Sequence, residues 1–328
     1  MRLAHAVSGL ALLGSLVFVT GPVQAAPFTF LQPGFTQAVF AVSPSFLGGL
    51  AIAPDGDICA DNCSFSGSPM WRFDFQSTVI VNATQIHPQV AGSPFPSNLG
   101  CGLCNHPSGD LYSNTGNGVI RVSAANGAVL GGPFGPGGDA LGICVDPQTG
   151  DLVYVRSDGA IEVVDQSLTT ASVLSTVTQG DFIDGISFDP TGNYLFLSNR
   201  SPVFQLTILT RAGALVQNVP LVSEPDGIAF NSPLNFVVTN NTDGTMTRFD
   251  FPGNNFNVPP IVSLFASGGF RGDLAQVSTD GCVYLTQDET RYDNNVVTSQ
   301  NSVVVICGNF TPVAARKSTW GQLKAKYR

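Results

Sequence analysis

Positive charge is scarce in this sequence and unevenly distributed. The chain has three lysines, Lys317, Lys324 and Lys326, and all of them lie in its last dozen residues. Between Arg2 and Arg316 there are eight arginines, while all 23 aspartates and glutamates precede that basic end. Such an acidic body repels a phosphate backbone, so we expect no nucleic-acid partner.

Histidine and long apolar runs are also rare. His87 and His106 have no evident nucleophile beside them, so a Ser–His–acid triad has no local support. The longest apolar stretch, GLALLGSLVFV at 9–19, is too short to span a bilayer. With Arg2 before it and VQA (23–25) after it, the stretch is typical of a secretory signal peptide over residues 1–25, and VQAAP favours this over an uncleaved anchor. We therefore expect an exported protein, secreted or periplasmic, with no membrane span.

No segment before residue 313 shows the spacing of apolar residues that is typical of a helix. Gly (36) and Pro (22) are abundant and indicate many turns. A short motif recurs six times: an apolar strand, then a Pro, Gly or Asp turn, then a second strand. The copies start at Gly49, Gly102, Gly142, Gly185, Gly227 and Asp273, at intervals of 53, 40, 43, 42 and 46 residues. This period is typical of propeller blades with four strands, which we name A to D from the channel outward.

These repeats predict an all-β fold: a six-bladed β-propeller of four-stranded blades over residues 26–312, followed by a basic tail over 313–328. The fourth strand of the first unit is predicted at TVIVNA (78–83). The sixth unit lacks a fourth strand, and FTFLQPGFTQAVFAV (28–42) precedes the first unit without a blade of its own. We expect this N-terminal strand to complete the last blade and close the ring, which removes an exposed edge. The rival is a seven-bladed ring with a degenerate blade inside the 53-residue interval.

Seven cysteines in an exported chain indicate disulfides with one thiol left over. Cys282 opens strand B of the last blade and Cys307 closes its strand C, so we predict a disulfide between them. The CGLC sequence at 101–104 has the spacing of a redox motif, but a structural disulfide or a buried thiol is the preferred interpretation. The other five cysteines are left unassigned.

One face of the ring carries the D–A and B–C loops, and it collects many Asn and Asp residues that are mostly turn formers. Asp184, Asp226 and Asp273 come from three consecutive blades and approach the central channel. The carboxylates of Asp184 and Asp226 suit Ca²⁺ or another divalent cation. The alternative is a water-filled polar channel in which the acids cap loops or pair with Arg271. The predicted ligand-binding residues are Asp184, Asp226, Arg271, Asp273, Asn199 and Asn240.

The stretches DGISFDPTGNYLFLSN (184–199) and PDGIAFN (225–231) resemble the inner-strand signature of the senescence marker protein/gluconolactonase/luciferin-regenerating enzyme family and, more distantly, NHL-repeat propellers. The resemblance covers most of 45–308 and implies a six-bladed propeller. In members with lactonase activity it implies a divalent cation held at the channel mouth by one Glu and an Asn/Asp pair. That pair corresponds to Asp184 and Asp226, whereas the Glu position falls where this chain has Gly48 and Gly49.

Two functions fit these patterns. The preferred one is a monomeric, non-catalytic exported propeller that binds a small molecule, or an extracellular protein or glycan, on its D–A/B–C loop face. The alternative is a divalent-cation-dependent, lactonase-like hydrolase with its site at the central channel mouth. The sequence does not decide whether the protein is an enzyme. A third acidic ligand near Asp184 and Asp226 would favour the hydrolase.

Overall fold

Six β-sheets, one for each repeat, form a closed six-bladed propeller in the computed structural model of this chain. The structure describes residues 27–43, 46–63, 68–74, 90–91, 93–137, 142–231, 236–278, 281–288, 290–293, 296–299 and 301–308. The predicted signal peptide (1–25) and basic tail (313–328) lie outside these residues. The all-β, six-bladed prediction is confirmed, and the seven-bladed rival is wrong.

The strands follow the chain order that the repeats predict. The N-terminal segment supplies β1 (Phe30–Leu31) and β2 (Phe35–Ser43). Blade 1 contains β3 (Leu50–Ile52), β4 (Ile58–Ala60), β5 (Ser68–Phe73) and, after the short β6 (Val90–Ala91), β7 (Ser93–Leu99). Blade 2 contains β8 (Gly102–Asn105), β9 (Leu111–Thr115), β10 (Gly118–Val122) and β11 (Val129–Phe134). Blade 3 contains β12 (Ile143–Val145), β13 (Leu152–Val155), β14 (Ile161–Val164) and β15 (Ala171–Ser175).

The second half of the ring is built in the same way. Blade 4 contains β16 (Phe182–Phe188), β17 (Tyr194–Ser201), β18 (Gln205–Thr210) and β19 (Leu215–Pro220). Blade 5 contains β20 (Pro225–Asn231), β21 (Phe236–Asn241), β22 (Met246–Asp250) and β23 (Ile261–Ser267), with a short 3-10 helix (Pro252–Asn254) before β23. Blade 6 contains β24 (Arg271–Val277), β25 (Val283–Asp288) and β28 (Asn301–Gly308), with the hairpin β26 (Thr290–Asp293) and β27 (Val296–Ser299) between its second and third strands.

The N-terminal strand closes the ring, as predicted. Strand β2 pairs antiparallel with β28, from Phe35 opposite Gly308 to Ser43 opposite Asn301, and so forms the fourth strand of blade 6. Two further pairings were not predicted: β1 adds a fifth strand to blade 5, and β6 pairs in parallel with β2.

The fourth strand of blade 1 lies at a different position from the one predicted. Its fourth strand is β7, at Ser93–Leu99, and the predicted position at 78–83 lies outside the described residues. The long first interval therefore holds an enlarged connection within one blade, and not a seventh blade.

The hydrophobic core lies between consecutive blades. Phe196 of blade 4 and Phe249 of blade 5 are fully buried in one cluster, and Phe40 of β2 packs with Leu50 of blade 1 in another. The repeated glycines permit this close packing near the channel. A Cβ atom on Gly227 would lie 2.3 Å from the backbone oxygen of Asp273 in the next blade.

Two disulfides are present among the described residues, and Cys59, Cys104 and Cys144 are free, so the expectation of one leftover thiol is wrong. The predicted bond between Cys282 and Cys307 is confirmed within blade 6. A second bond joins Cys63 of blade 1 to Cys101 at the start of blade 2, so the CGLC sequence holds half of a structural disulfide and the buried free thiol of Cys104. Over the described ranges we find no helix with the length and apolar character needed to cross a membrane.

Candidate functional site

Irregular strand pairing places three acids at the channel mouth. Asp184 and Asp226 are skipped in the register between strands A and B of blades 4 and 5, and Asp273 lies in a similar shift between Gly272 and Ala275 of blade 6. A bulged residue has no ladder partner, and its side chain is redirected. Both bulged acids lie within strand A and not in the turn before it, since β16 begins at Phe182 and β20 at Pro225.

The three acids and two arginines alternate along the mouth. An Arg200 guanidinium nitrogen lies 2.6 Å from an Asp184 carboxylate oxygen and 3.7 Å from Asp226 Oδ2. Arg271 lies 3.6 Å from Asp226 Oδ2 and 3.7 Å from Asp273 Oδ2. The order of charges is therefore Asp184, Arg200, Asp226, Arg271, Asp273. Arg271 lies beside Asp226 and Asp273, which agrees with the alternative in which the acids pair with this arginine. The shortest arginine–acid contact at the mouth is made by Arg200, to Asp184.

The arginines lie nearer to solvent than the acids. Arg200 also pairs with Glu224 from the D–A loop, and its guanidinium lies 5.4 Å from the centroid of the Phe182 ring. Arg271 lies 5.5 Å from the ring centroid of Phe46. Both arginine side chains are 22% exposed, whereas Asp184 and Asp226 are at most 1% exposed. A ligand entering the mouth would therefore meet guanidinium and aromatic groups first and carboxyl groups beneath them.

A fourth buried acid, Asp61 of blade 1, belongs to the same region. Its Oδ1 accepts hydrogen bonds from the backbone N–H groups of Gly49 and Cys63, at 3.0 and 2.8 Å. A Cβ atom on Gly49 would lie 2.1 Å from Asp61 Oδ2, so this carboxyl fills the space beside the glycine. Asp61 is near enough to Asp273 for each charge to disfavour the other. We call Asp184, Asp226, Asp273 and Asp61 the acidic mouth. In that order they come from blades 4, 5, 6 and 1, which are consecutive around the ring.

Burial is the main cause of the electrostatics of the acidic mouth. It raises the pKa of Asp61 to about 7, despite the two backbone donors, and that of Asp184 to about 7, despite Arg200. It raises the pKa of Asp273 to about 6, against the effect of both arginines. The pKa of Asp226 is raised furthest, by burial and then by the charges of Asp184 and Asp273.

Several carboxyl oxygens of the acidic mouth receive no N–H or O–H hydrogen bond. They are Asp61 Oδ2, Asp184 Oδ1 and both oxygens of Asp226. Asp226 and Asp273 are close enough to share a proton, and this contact lowers the pKa of Asp273 because Asp226 then donates the hydrogen bond. Asp61 Oδ2 and Asp184 Oδ1 are thus acceptors without a hydrogen-bond donor from the protein, whereas Asp226 is also held by Asp273 and by the two arginines.

Two predicted ligand-binding residues lie in a different setting. Asn199 and Asn240 are fully buried. Asn199 donates to the Asp181 carboxylate at 2.6 Å, and Asn240 donates to the backbone oxygens of Asp273 and Thr286 at 2.8 and 2.9 Å. Asn240 therefore ties strand B of blade 5 to blade 6.

Sequence reasoning placed Asp61 and Arg200 on the D–A/B–C loop face, but it selected neither of them, nor Glu224, as a site residue. Asp61 directly follows strand B of blade 1 and Arg200 lies near the end of strand B of blade 4, and these repeat positions could have pointed to the channel. Glu224 precedes the bulged strand by one residue, and no spacing rule places it beside Arg200, because that contact depends on the redirected backbone.

A divalent cation would find oxygen ligands at the acidic mouth but no close group of three. Asp61, Asp184 and Asp226 offer unused oxygen atoms, which hard cations prefer. However, across the described residues no three Asp, Glu, His or Cys side chains are grouped closely enough to hold a metal ion. The two arginines occupy the spaces between the acids instead.

No family model and no curated protein sequence matches this chain. Solved structures do resemble it. A Trichoderma reesei protein of carbohydrate-active enzyme family AA12 has a TM-score of 0.61 at 10% identity, with 88% of this chain and 100% of that chain covered. A gluconolactonase from Xanthomonas campestris has a TM-score of 0.58 at 12% identity, with 87% and 98% covered. Virginiamycin B lyase from Staphylococcus aureus has a TM-score of 0.54 at 11% identity, with 83% and 98% covered. At these identities the likeness shows the fold alone, and it confirms the resemblance to gluconolactonase-type propellers at that level.

Proposed function

We propose that this protein is an exported propeller that binds a small polar ligand at its acidic mouth without converting it. The observation that carries the proposal is the set of buried carboxyl oxygens in Asp61, Asp184 and Asp226 that receive no hydrogen bond. Buried acceptors are costly unless they are paired, so a ligand that brings N–H or O–H donors would be stabilised there. The signal-peptide-like N-terminus and the two disulfides support export.

The chemistry of the mouth favours a compact, polyhydroxylated molecule such as a sugar. Carboxylates and arginines together can accept from and donate to neighbouring hydroxyl groups, and Phe182 and Phe46 offer apolar surface beside them. The carbohydrate and gluconolactone chemistry in the names of two similar structures agrees with this class, but the proposal rests on the side chains.

A lactonase-like hydrolase that depends on a divalent cation is the second candidate. It is favoured by the presence of a third acid, Asp273, close enough to Asp184 and Asp226 for its charge to raise the pKa of each. The arginines argue against it, because Arg200 already holds Asp184 at 2.6 Å and would have to move before a cation could bind there.

Thermal-shift and calorimetric titrations with glucose, gluconolactone and Ca²⁺ separate these candidates. Binding to the acidic mouth predicts a sugar-dependent rise in Tm that persists in EDTA and is lost in Asp226→Asn. A matched control, Asp243→Asn, changes an exposed carboxylate in a B–C loop of the same blade and should retain the shift. At a sugar concentration of 100 Kd, the stabilisation should be about 2.7 kcal/mol.

Each contrary result has a defined meaning. A shift that requires Ca²⁺ and disappears in EDTA, together with hydrolysis of gluconolactone, would establish the hydrolase. Equal sugar-dependent rises in Tm in Asp226→Asn and Asp243→Asn would show that the ligand binds outside the acidic mouth. No shift with any of the three compounds would reject sugars and Ca²⁺ as its ligands.

A further inference from the structure

Three exposed apolar side chains flank the acidic mouth on the D–A/B–C loop face of blade 4. Phe182 opens β16, Val203 lies in the B–C loop between β17 and β18, and Val222 lies in the D–A loop that leads from β19 into β20. Their exposed fractions are 42%, 53% and 98%. We call these three residues the apolar collar.

Backbone contacts bring the collar residues together. Phe182 pairs across the sheet with the residue two places before Val203. The backbone N–H of Leu221 donates to the backbone oxygen of Phe204 at 2.8 Å, so Val222 and Val203, which adjoin these two residues in the chain, are neighbours as well. The collar is therefore one patch and not three apolar residues scattered over the surface.

The collar continues into the acidic mouth through Arg200. Its guanidinium group lies 5.4 Å from the centroid of the Phe182 ring and has a nitrogen 2.6 Å from an Asp184 carboxylate oxygen. The same group pairs with Glu224, which follows Val222 by two residues. One guanidinium thus separates the collar from the buried acids, so a single small ligand can contact both.

The size of the collar decides what it can bind. A stable interface with a second copy of this chain, or with another protein, buries about 800 Å² on each partner. One phenylalanine and two valines from a single blade offer much less than that. They match a short alkyl or aryl group, and adjoining exposed apolar side chains beside a polar pocket are typical of a ligand-binding site.

We propose that the apolar collar is a subsite for an apolar substituent, and that the ligand of this protein is a sugar that carries one, such as an alkyl or aryl glycoside. In this arrangement the sugar hydroxyl groups face the acidic mouth, while the substituent covers Val203 and Val222, which are otherwise surrounded by water. The inference rests on the function proposed for the acidic mouth and narrows the class of its ligand.

Isothermal titration calorimetry of the full chain with methyl β-glucoside and butyl β-glucoside tests the subsite. Each methylene group that leaves water tightens binding by about fourfold, so we expect the Kd of the butyl compound to be lower by about tenfold or more. The heat-capacity change of binding should also be more negative for the butyl compound, because it buries more apolar surface. Both comparisons use the unmodified protein and do not depend on the folding of a variant.

A double substitution then locates the alkyl group. Val203→Ser together with Val222→Ser removes most of the aliphatic surface of the collar, so the ratio of the two Kd values should fall to about two. Val129→Ser together with Val173→Ser is the matched control. It makes the same change at valines that are 48% and 49% exposed on the outer strands β11 and β15, and it should retain the wild-type ratio.

The possible failures can be told apart. Equal Kd values for the two glucosides in the wild type would overturn the subsite and leave the function proposed for the acidic mouth intact. A ratio that survives in the Val203→Ser/Val222→Ser variant would place the alkyl group elsewhere and would also overturn the subsite. If neither glucoside binds, the function proposed for the mouth fails and the subsite fails with it. A wild-type dimer in light scattering that this variant converts to monomers would assign the collar to contact with a second copy instead.

Discussion

Replacing Asp226 with asparagine removes a buried carboxyl group from the acidic mouth while keeping its size. In the folded protein the pKa of Asp226 lies well above its usual range, because of burial and the charges of Asp184 and Asp273. The folded state therefore retains a proton that the unfolded chain releases above its ordinary pKa of 3.8. Asparagine resembles the protonated acid, and its amide can still donate to Asp273.

The linkage between protons and folding sets the size of the effect. While the folded state holds one more proton than the unfolded state, stability falls by about 1.4 kcal/mol for each pH unit of increase. The contribution of a raised acid is thus complete below the unfolded pKa and is lost as pH rises toward the folded pKa. Each pH unit over which Asp226 keeps its proton only in the folded state therefore costs the wild type about 1.4 kcal/mol relative to Asp226→Asn, which for a chain of this size is a Tm difference of about 3–5 °C. Coupling among the acids makes the observed pH dependence shallower.

The assay is scanning calorimetry of both proteins from pH 4.5 to 8.5 in EDTA. Asp226→Asn should match the wild type near pH 4.5 and exceed its Tm progressively above pH 6. Asp243→Asn, which alters an exposed carboxylate, should follow the wild-type profile throughout. If Asp226→Asn is instead destabilised equally at every pH, then Asp226 is an ionised partner of the two arginines and the protonation argument is refuted.

Three further predictions concern the frame around the mouth. A variant that begins at Ser43 loses most of β2, including the buried Phe40, so it should aggregate or melt at much lower temperature in light-scattering and thermal assays; normal melting would show that the ring closes in another way. Replacing Cys282 and Cys307 together with serine should cost about 3 kcal/mol of unfolding free energy in urea titrations, and no change would assign that bond no role in stability. Asn240→Ala should cost about 2–3 kcal/mol whether or not a ligand is bound, because it removes two buried hydrogen bonds; a loss seen only in ligand affinity would restore Asn240 as a contact residue.

The architecture could be predicted from the sequence because one blade is a nearly self-contained pattern. Four strands with regular turns recur at a fixed period, and the missing fourth strand of the sixth unit matches the unpaired N-terminal strand. The bond between Cys282 and Cys307 follows from the same local geometry, since neighbouring strands bring their ends together.

The details of the site depend on contacts that no period encodes. Asp184 reaches Arg200 only because the strand bulges at the acid, and the bulge has no fixed sequence signature. Asp61 approaches the other acids from a blade that is distant along the chain. The bond between Cys63 and Cys101 likewise joins a loop of one blade to the start of the next, so its pairing depends on how blades are set side by side.

The composition of blade 6 has a consequence for the order of folding. Its fourth strand is made from residues near the start of the chain, and its partner β28 ends at Gly308. Joining points about 270 residues apart carries an entropy cost of about 5 kcal/mol for a flexible chain, and prior folding of the intervening blades lowers this cost. We therefore expect ring closure to be the final step of folding. Until then β28, which pairs with β25 on its other side, is an exposed edge of blade 6, and β2 lacks its partner β28. In that interval the β2 strand of one copy can complete blade 6 of another, so refolding at high concentration should yield strand-exchanged oligomers that dilution before refolding avoids.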